Sequence, residues 1–366
     1  MMSKLVYRKS LVLLLAVAYF CVHRCEAQQL YVTPTAQGWG FIDSSGKLTI
    51  DGTFTSVQPF AEGMAVASNG DKYGFIGTHG ETVIPFGFDK ANSFSEGLAA
   101  VKISGKWGFI NKQGSFVIRP QFLEEPRRFV DGYSMNGAHL GSKSMVIEKD
   151  FFIDKRGNRI TPPGAIMLMP FREGFAWRGE FDSQARQRWT VIDKNFHAIS
   201  ESMLLCFVPN PFSDGMSVVQ FGACQWSEKQ SGYVSVDGKI AIGPSYESAW
   251  DFKGGLARVK VDGKYGFISK TGELKIEPQF DNAFNFSDGL AAVVKDSELG
   301  FIDAEGNFAI PLQFNDAMPL DQGFVGDLAG IILVQSRSPI KLAVIYVNRK
   351  GKVIYGPVNL PFHPHQ

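Results

Sequence analysis

The side chains able to do chemistry in this 366-residue chain fall into three sets. The first is His363 and His365, flanking Pro364 at the end of the sequence. A metal site needs His, Cys or carboxylates at ligand spacing. His79, His139 and His197 are far apart in the sequence, so the pair reads as a terminal tail. The second is a recurrent series of acids, Asp43, Asp154, Asp193, Asp237 and Asp303, which would suit acid–base work if they converged. Each follows an apolar stretch at a polar corner, where Asp and Asn bond their own backbone, so turn chemistry explains them. Glu62, Glu96 and Asp288, each before a glycine, read the same way. There is no HExxH, phosphate loop, dinucleotide glycine motif or GxSxG elbow, and no nucleophile with an identifiable base. The residues point to no enzyme, no metal and no cofactor.

The third set suits binding. Trp177 lies among Arg172, Arg178, Arg186 and Arg188, with Arg127 and Arg128 upstream; Trp226 sits in the segment GACQWSEKQSG, and Trp250 just before a phenylalanine phrase. Aromatic faces beside Arg suit sugars, peptides or acidic ligands. The structural alternative is extra apolar mass closing an irregular core. Trp177, Arg178, Arg186, Arg188, Trp226 and Trp250 are the ligand-binding candidates. Asn285-Phe286-Ser287 is a lone glycosylation sequon, a frequency near chance.

Lys4, Arg8 and Lys9 precede an apolar run from Leu11 to Val22, and Cys25-Glu26-Ala27 offers small residues before a cut. A spanning helix needs ~20 apolar residues, so residues 1–27 read as a cleaved secretory signal and the protein as secreted or periplasmic. Cleavage leaves 33 basic and 35 acidic residues, a balance unlike that of nucleic-acid binders. It also leaves two cysteines, Cys206 and Cys224, which in an exported protein suggest a disulfide.

The elements that carry these residues repeat. WGFIDSSGKLTI starts at Trp39, YGFIGTHGETVI at Tyr73, WGFINKQGSFVI at Trp107, YGFISKTGELKI at Tyr265 and LGFIDAEGNFAI at Leu299. Weaker copies begin at Phe151, Trp189, Gly232 and Tyr346, making nine. A second phrase alternates with the first: FAEGMAVA, FSEGLAAVK, FREGFAW, FSDGMSVV, FKGGLARVK and FSDGLAAVV. Both phrases alternate with period two and are separated by turn residues such as Gln113-Gly114 and Thr271-Gly272, so each unit is a three-stranded antiparallel meander. Prolines after the third strand end its pairing. Trp39, Tyr73, Trp107, Trp189 and Tyr265 occupy one repeat position and are expected to hold units together. The glycine after each is expected to let a neighbouring ring lie over the backbone.

The phrase K-[WY]-G-F-I-[DN]-x-x-G-x-x-V-I-P followed by F-x-[ED]-G-L-A-x-V resembles the WG-repeat (KWG-repeat) family. The resemblance implies an extracytoplasmic repeat protein without established catalytic residues. The expected organisation is a signal over 1–27, an array of about nine units over 28–357, irregular between 124 and 230, and a tail over 358–366. Three strands per unit and nine units favour an all-β open solenoid or superhelix over a closed propeller-like ring, which usually has four to eight four-stranded blades. The expected function is a non-catalytic scaffold binding a protein or peptide partner along an extended surface, with a carbohydrate or cell-wall module as the alternative. No nucleic-acid partner is expected, and no integral membrane segment after cleavage.

Overall fold

A computed structural model describes residues 29–137, 149–205, 207–221, 230–337 and 340–360. The leader, Cys206, Cys224, Trp226, His139, His363 and His365 lie outside the described residues. The described chain forms nine antiparallel sheets in sequence order, with no helix among these residues. Each of the nine phrase copies supplies the middle strand of one sheet, as in Trp39–Ile42, Tyr73–Ile76 and Lys106–Ile110.

The nine sheets close into a ring, a β-propeller, and the expectation of an open solenoid is wrong. An open array of nine units has eight seams. Here nine apolar clusters fill nine seams, and one of them joins the first sheet to the last through Tyr31, Ile42, Leu328, Val344 and Tyr346. The Tyr346 hydroxyl donates to the Val32 carbonyl, and the Asp327 N–H donates to the Tyr31 hydroxyl at 3.1 Å. The strand count misled for a definite reason. The corner after the third strand contributes a two-residue strand to the next sheet, as in Ser56–Val57, Lys90–Ala91 and Asn282–Ala283. Most blades, numbered 1 to 9 in chain order, are therefore four-stranded. The last strand, Val353–Asn359, also takes in Val358 and Asn359, which were expected in the tail.

The apolar core lies between blades. In Lys106–Ile110, Trp107 and Phe109 face the blade 4 seam, whereas Ile110 faces the blade 2 seam. Both faces of the middle strand are thus buried, which is why the WGFI phrase is apolar without interruption. At seven of the nine seams the phrase's aromatic meets the phenylalanine that opens the next blade's hairpin. The pairs Phe41–Phe60, Phe75–Phe94, Phe109–Phe129, Phe152–Phe171, Tyr233–Phe252, Phe267–Phe286 and Phe301–Phe324 have centroids 4.7–5.0 Å apart.

The glycine of the WG pair has a different cause from the one expected. Between Trp107↔Phe122 and Phe109↔Ile118 the outer strand carries a bulge, and Gly108 lies opposite it. A Cβ on Gly108 would come within 2.6 Å of the Ile118 carbonyl oxygen and 2.7 Å of the Pro120 nitrogen. Backbone, not a neighbouring ring, covers this glycine, and the proline sits in the bulge where it removes no ladder bond.

The acid-glycine turns latch neighbouring blades. Glu62 and Gly63 have φ of 52° and 88°, both positive as a two-residue type I′ hairpin requires. The Glu62 carboxylate accepts the N–H of Gly97 in the next blade at 3.1 Å. Glu96 does so with Gly132, Asp131 with Gly174, Glu173 with Gly215, Asp214 with Gly255 and Asp288 with Gly326. A lysine from the next blade's corner joins the carboxylate in several seams, as in Lys112–Glu62 at 3.2 Å and Lys155–Glu96 at 3.1 Å.

Two outcomes test this account. Gly108→Ala should destabilise the ring by about 2–4 kcal/mol in denaturant unfolding, because backbone on both sides blocks the methyl group. The second is acid sensitivity. Partial burial alone would raise the Glu62 carboxyl, but hydrogen bonds from Lys112 and Gly97 hold it below its ordinary 4.5. A carboxyl depressed in the folded state protonates first in the unfolded chain. Its contribution is therefore present above pH 4.5 and lost as pH falls through the folded value. Thermal unfolding from about pH 5 to about pH 3 should show a falling midpoint, with a shallower fall in Glu62→Gln.

Candidate functional site

Five consecutive blades line one cavity of about 720 Å³. Residues of blades 2 and 6 can share a cavity only where blades converge, which places it at the ring's centre. Blade 2 contributes Gln58, blade 3 Asn92 and Ser93, and the crossing to blade 4 Glu124 and Glu125. Blades 4, 5 and 6 add Arg127, Arg128, Arg172 and Pro211. They come from one place in the repeat, the residues just before and after the seam phenylalanine.

Part of this lining is committed to seams. Gln58 Oε1 accepts the Ser93 hydroxyl at 2.8 Å and its N–H at 3.1 Å, and Asn92 Nδ2 donates to Glu125 Oε1 at 2.7 Å. Arg127 and Arg128 are exposed and Arg172 is half-buried. None of the three is paired with a carboxylate among the described residues. The cavity therefore offers a fixed polar wall and three cations free to meet an anion, with Glu124 and Glu125 on the same rim.

The sequence candidates do not gather here. Trp177 is fully buried at the seam of blades 5 and 6, stacked on Phe212 at 5.5 Å and 13°, with its Nε1 donating to the Ser217 hydroxyl at 3.0 Å. Its presence has a structural cause. Blade 5 carries Val191 where other blades carry the seam Phe or Tyr, and Trp177 on the adjacent strand restores the aromatic pair. Arg178, Arg186 and Arg188 line one face of the hairpin formed by Phe175–Phe181 and Gln187–Asp193. Asp182 meets Arg186 at 2.8 Å and Arg188 at 3.6 Å, and Arg178 lies 3.8 Å from Glu180. Bonds from the Arg186 backbone and guanidinium hold Asp182 at about 2. Each arginine of this cluster is thus paired with a carboxylate of its own hairpin. Trp250 is half-buried, with the Arg258 guanidinium 3.9 Å from its ring centroid and Tyr265 at 5.5 Å. Burial pushes Arg258 down to about 10, so it remains a cation at neutral pH.

The repeat aromatics are spread around the ring. Trp107 and Trp189 are buried in seam clusters, while Trp39, Tyr73 and Tyr265 are half-buried. The recurrent acids bond their own corners. Asp154 Oδ1 accepts the Arg156 and Asn158 N–H groups at 2.9 and 2.8 Å, and Asp303 Oδ1 those of Glu305 and Asn307. No group of three His, Cys, Asp or Glu side chains able to hold a metal ion occurs among the described residues. No helix long and apolar enough to cross a membrane occurs among the described residues.

The cavity residues Gln58, Asn92, Glu124 and Pro211 escaped the sequence reading. One signal marks them. Two residues before the seam phenylalanine the chain reads Gln58, Asn92, Arg127, Met169, Asn210, Trp250 and Phe284. That site varies freely inside a phrase whose neighbours hold.

Fold and site define a nine-bladed β-propeller built from one repeated hairpin unit. The chain belongs to the WG containing repeat family, which matches residues 39–73, 73–107, 107–133, 232–265, 265–298 and 300–326. The unmatched stretch between them covers the irregular blades. Among solved structures, a eukaryotic initiation factor shares the fold with a TM-score of 0.61 at 8% identity, over 89% of this chain and 95% of that one. An uncharacterised protein of Listeria monocytogenes EGD-e aligns at 11% identity with a TM-score of 0.41, over 68% of this chain and 90% of its own. Kluyveromyces lactis Hsv2p aligns at 12% with 0.40, over 72% and 94%. No curated protein matches.

Trp177→Ala should cost about 3–5 kcal/mol in chemical unfolding, as loss of a large buried aromatic does. Trp177→Phe, which keeps a ring against Phe212, should retain most of that.

Proposed function

We propose that this propeller is an exported, non-enzymatic scaffold that binds a protein or peptide partner across its central cavity, holding an acidic segment with Arg127, Arg128 and Arg172. The observation that carries this reading is the contrast between two arginine clusters. Arg178, Arg186 and Arg188 have carboxylate partners on their own hairpin, whereas the cavity arginines have none among the described residues. A cavity of about 720 Å³ is within the size range that encloses several side chains of a ligand. The scaffold reading is supported by what the recurrent polar residues already do: the corner aspartates hold turns and the acid-glycine carboxylates hold seams. Export is supported by the basic and apolar leader. The carbohydrate alternative needs aromatic faces open to a sugar, but Trp177 is buried and Trp250 has its ring against Arg258.

The mature chain and its Arg127→Ala/Arg128→Ala/Arg172→Ala variant should melt alike, since these side chains leave the seams untouched. A partner captured from an envelope extract by the wild type should be retained more than tenfold less by the variant, as each lost charged hydrogen bond is worth about 1.5–3 kcal/mol. Capture should also weaken with added salt. Equal capture by both proteins, independent of salt, would remove the cavity from the binding surface.

A further inference from the structure

The seam between blades 7 and 8 departs from the latch pattern at both ends. Gly254 occupies the place held elsewhere by Glu62, Glu96, Asp131, Glu173, Asp214 or Asp288, and Ala304 occupies the place of Lys112 and Lys155. Gly289 is exposed and receives no side chain from the described residues, whereas its equivalents Gly97, Gly132, Gly174, Gly215 and Gly255 receive a carboxylate on their N–H; Gly63, whose preceding blade has no such turn, resembles Gly289. Gly254 and Ala304 both line a cavity of about 500 Å³, with Gly255, Leu256, Ser269, Lys275 and Glu305. The seam around it is intact. Phe267 meets Phe286 at 5.0 Å, and the Arg258 guanidinium reaches from blade 7 to the Ala283 carbonyl of blade 8.

We infer that this gap is a binding site for a carboxylate carried by a peptide partner, as an acidic side chain or a free C-terminus. The chain itself shows the chemistry. In five other seams the same turn glycine binds a carboxylate at 2.7–3.2 Å, and in the seam of blades 8 and 9 the residue one place earlier in the turn, Gly326, binds Asp288. The turn at the gap keeps its shape, for Gly254 has φ of 60°, beside 45–56° for the acids it replaces. Lys275 supplies a cation in the lining, although it also pairs with Glu273 at 2.7 Å. This site is separate from the central cavity and does not depend on it.

The turn segment Phe94–Ala99, with sequence FSEGLA, carries the carboxylate of the blade 3–4 seam and is the natural probe. Three synthetic forms separate the two sources: the blocked peptide, blocked peptide with Glu96→Gln, and the Glu96→Gln peptide with a free C-terminus. Each is titrated into ¹⁵N-labelled mature protein while the Gly289 amide signal is followed. A carboxylate-bearing peptide should shift Gly289 with a dissociation constant on the order of 1 mM, and the blocked Glu96→Gln peptide should leave it unmoved. In Gly254→Glu/Ala304→Lys, which supplies the latch from within, the shift should vanish. The variant is built to fold: a Cβ at Gly254 meets nothing within 4 Å, and Glu62 already adopts the same backbone region. A Gly289 signal unmoved by either carboxylate form, or moved equally in the filled variant, would overturn the site.

Discussion

Everything in this ring depends on one contact, an aromatic of one blade's middle strand against the phenylalanine that opens the next blade's hairpin. A single repeat unit of this size, apolar on both faces, cannot bury those faces by itself. The pair at 4.7–5.0 Å, with the Ile, Val and Ala beside it, turns each sheet's two faces into halves of two cores. The other recurrent features serve that contact. The bulge opposite the WG glycine bends the outer strand, the acid-glycine turn aims the phenylalanine, and its carboxylate ties the turn to the next one. Individually such exposed ion pairs contribute little; repeated around a ring they fix the spacing of the blades.

Closure changes what the contact must achieve. In an open stack the end units expose one apolar face and need caps. Here Tyr346 occupies the seam-aromatic place of blade 9 and faces blade 1, where Tyr31 lies 6.0 Å away. The two tyrosines add polar bonds to Val32 and Asp327 that six other seams obtain from the carboxylate latch. The junction of first and last blade is thus sealed by residues from both ends of the chain, with aromatic and polar parts both represented.

Unit number, strand order and the middle strand of every blade were legible in the sequence, because period-two alternation and turn glycines are local signals. Ring against open stack was not. That distinction lies in contacts such as Tyr31 with Tyr346, separated by nearly the whole chain and leaving no periodic trace. The inner two-residue strands were illegible for another reason: Ser56-Val57 and Lys90-Ala91 are too short to show alternation and sit next to a proline-rich corner. At the level of side chains, Trp177 and the Arg178 cluster stood out as irregularities of type. Their causes are a missing seam phenylalanine at Val191 and a pair of carboxylates on the same hairpin, which only the three-dimensional register brings together.

A repeat of this kind offers its own test of which irregularities matter. Trp177 departs from the phrase, but it refills the seam that Val191 leaves open, so the deviation is cancelled inside the fold. Arg258 departs as well, and its bond to the Ala283 carbonyl and its stack on Trp250 tie it into the 7–8 seam. Among the described residues Arg127, Arg128 and Arg172 have no such cancelling partner, and neither does the loss of acid and lysine at Gly254 and Ala304. A deviation that another residue compensates is explained by folding. One that nothing compensates leaves charge or space for something outside the chain, and both uncompensated deviations open where the blades present their turns.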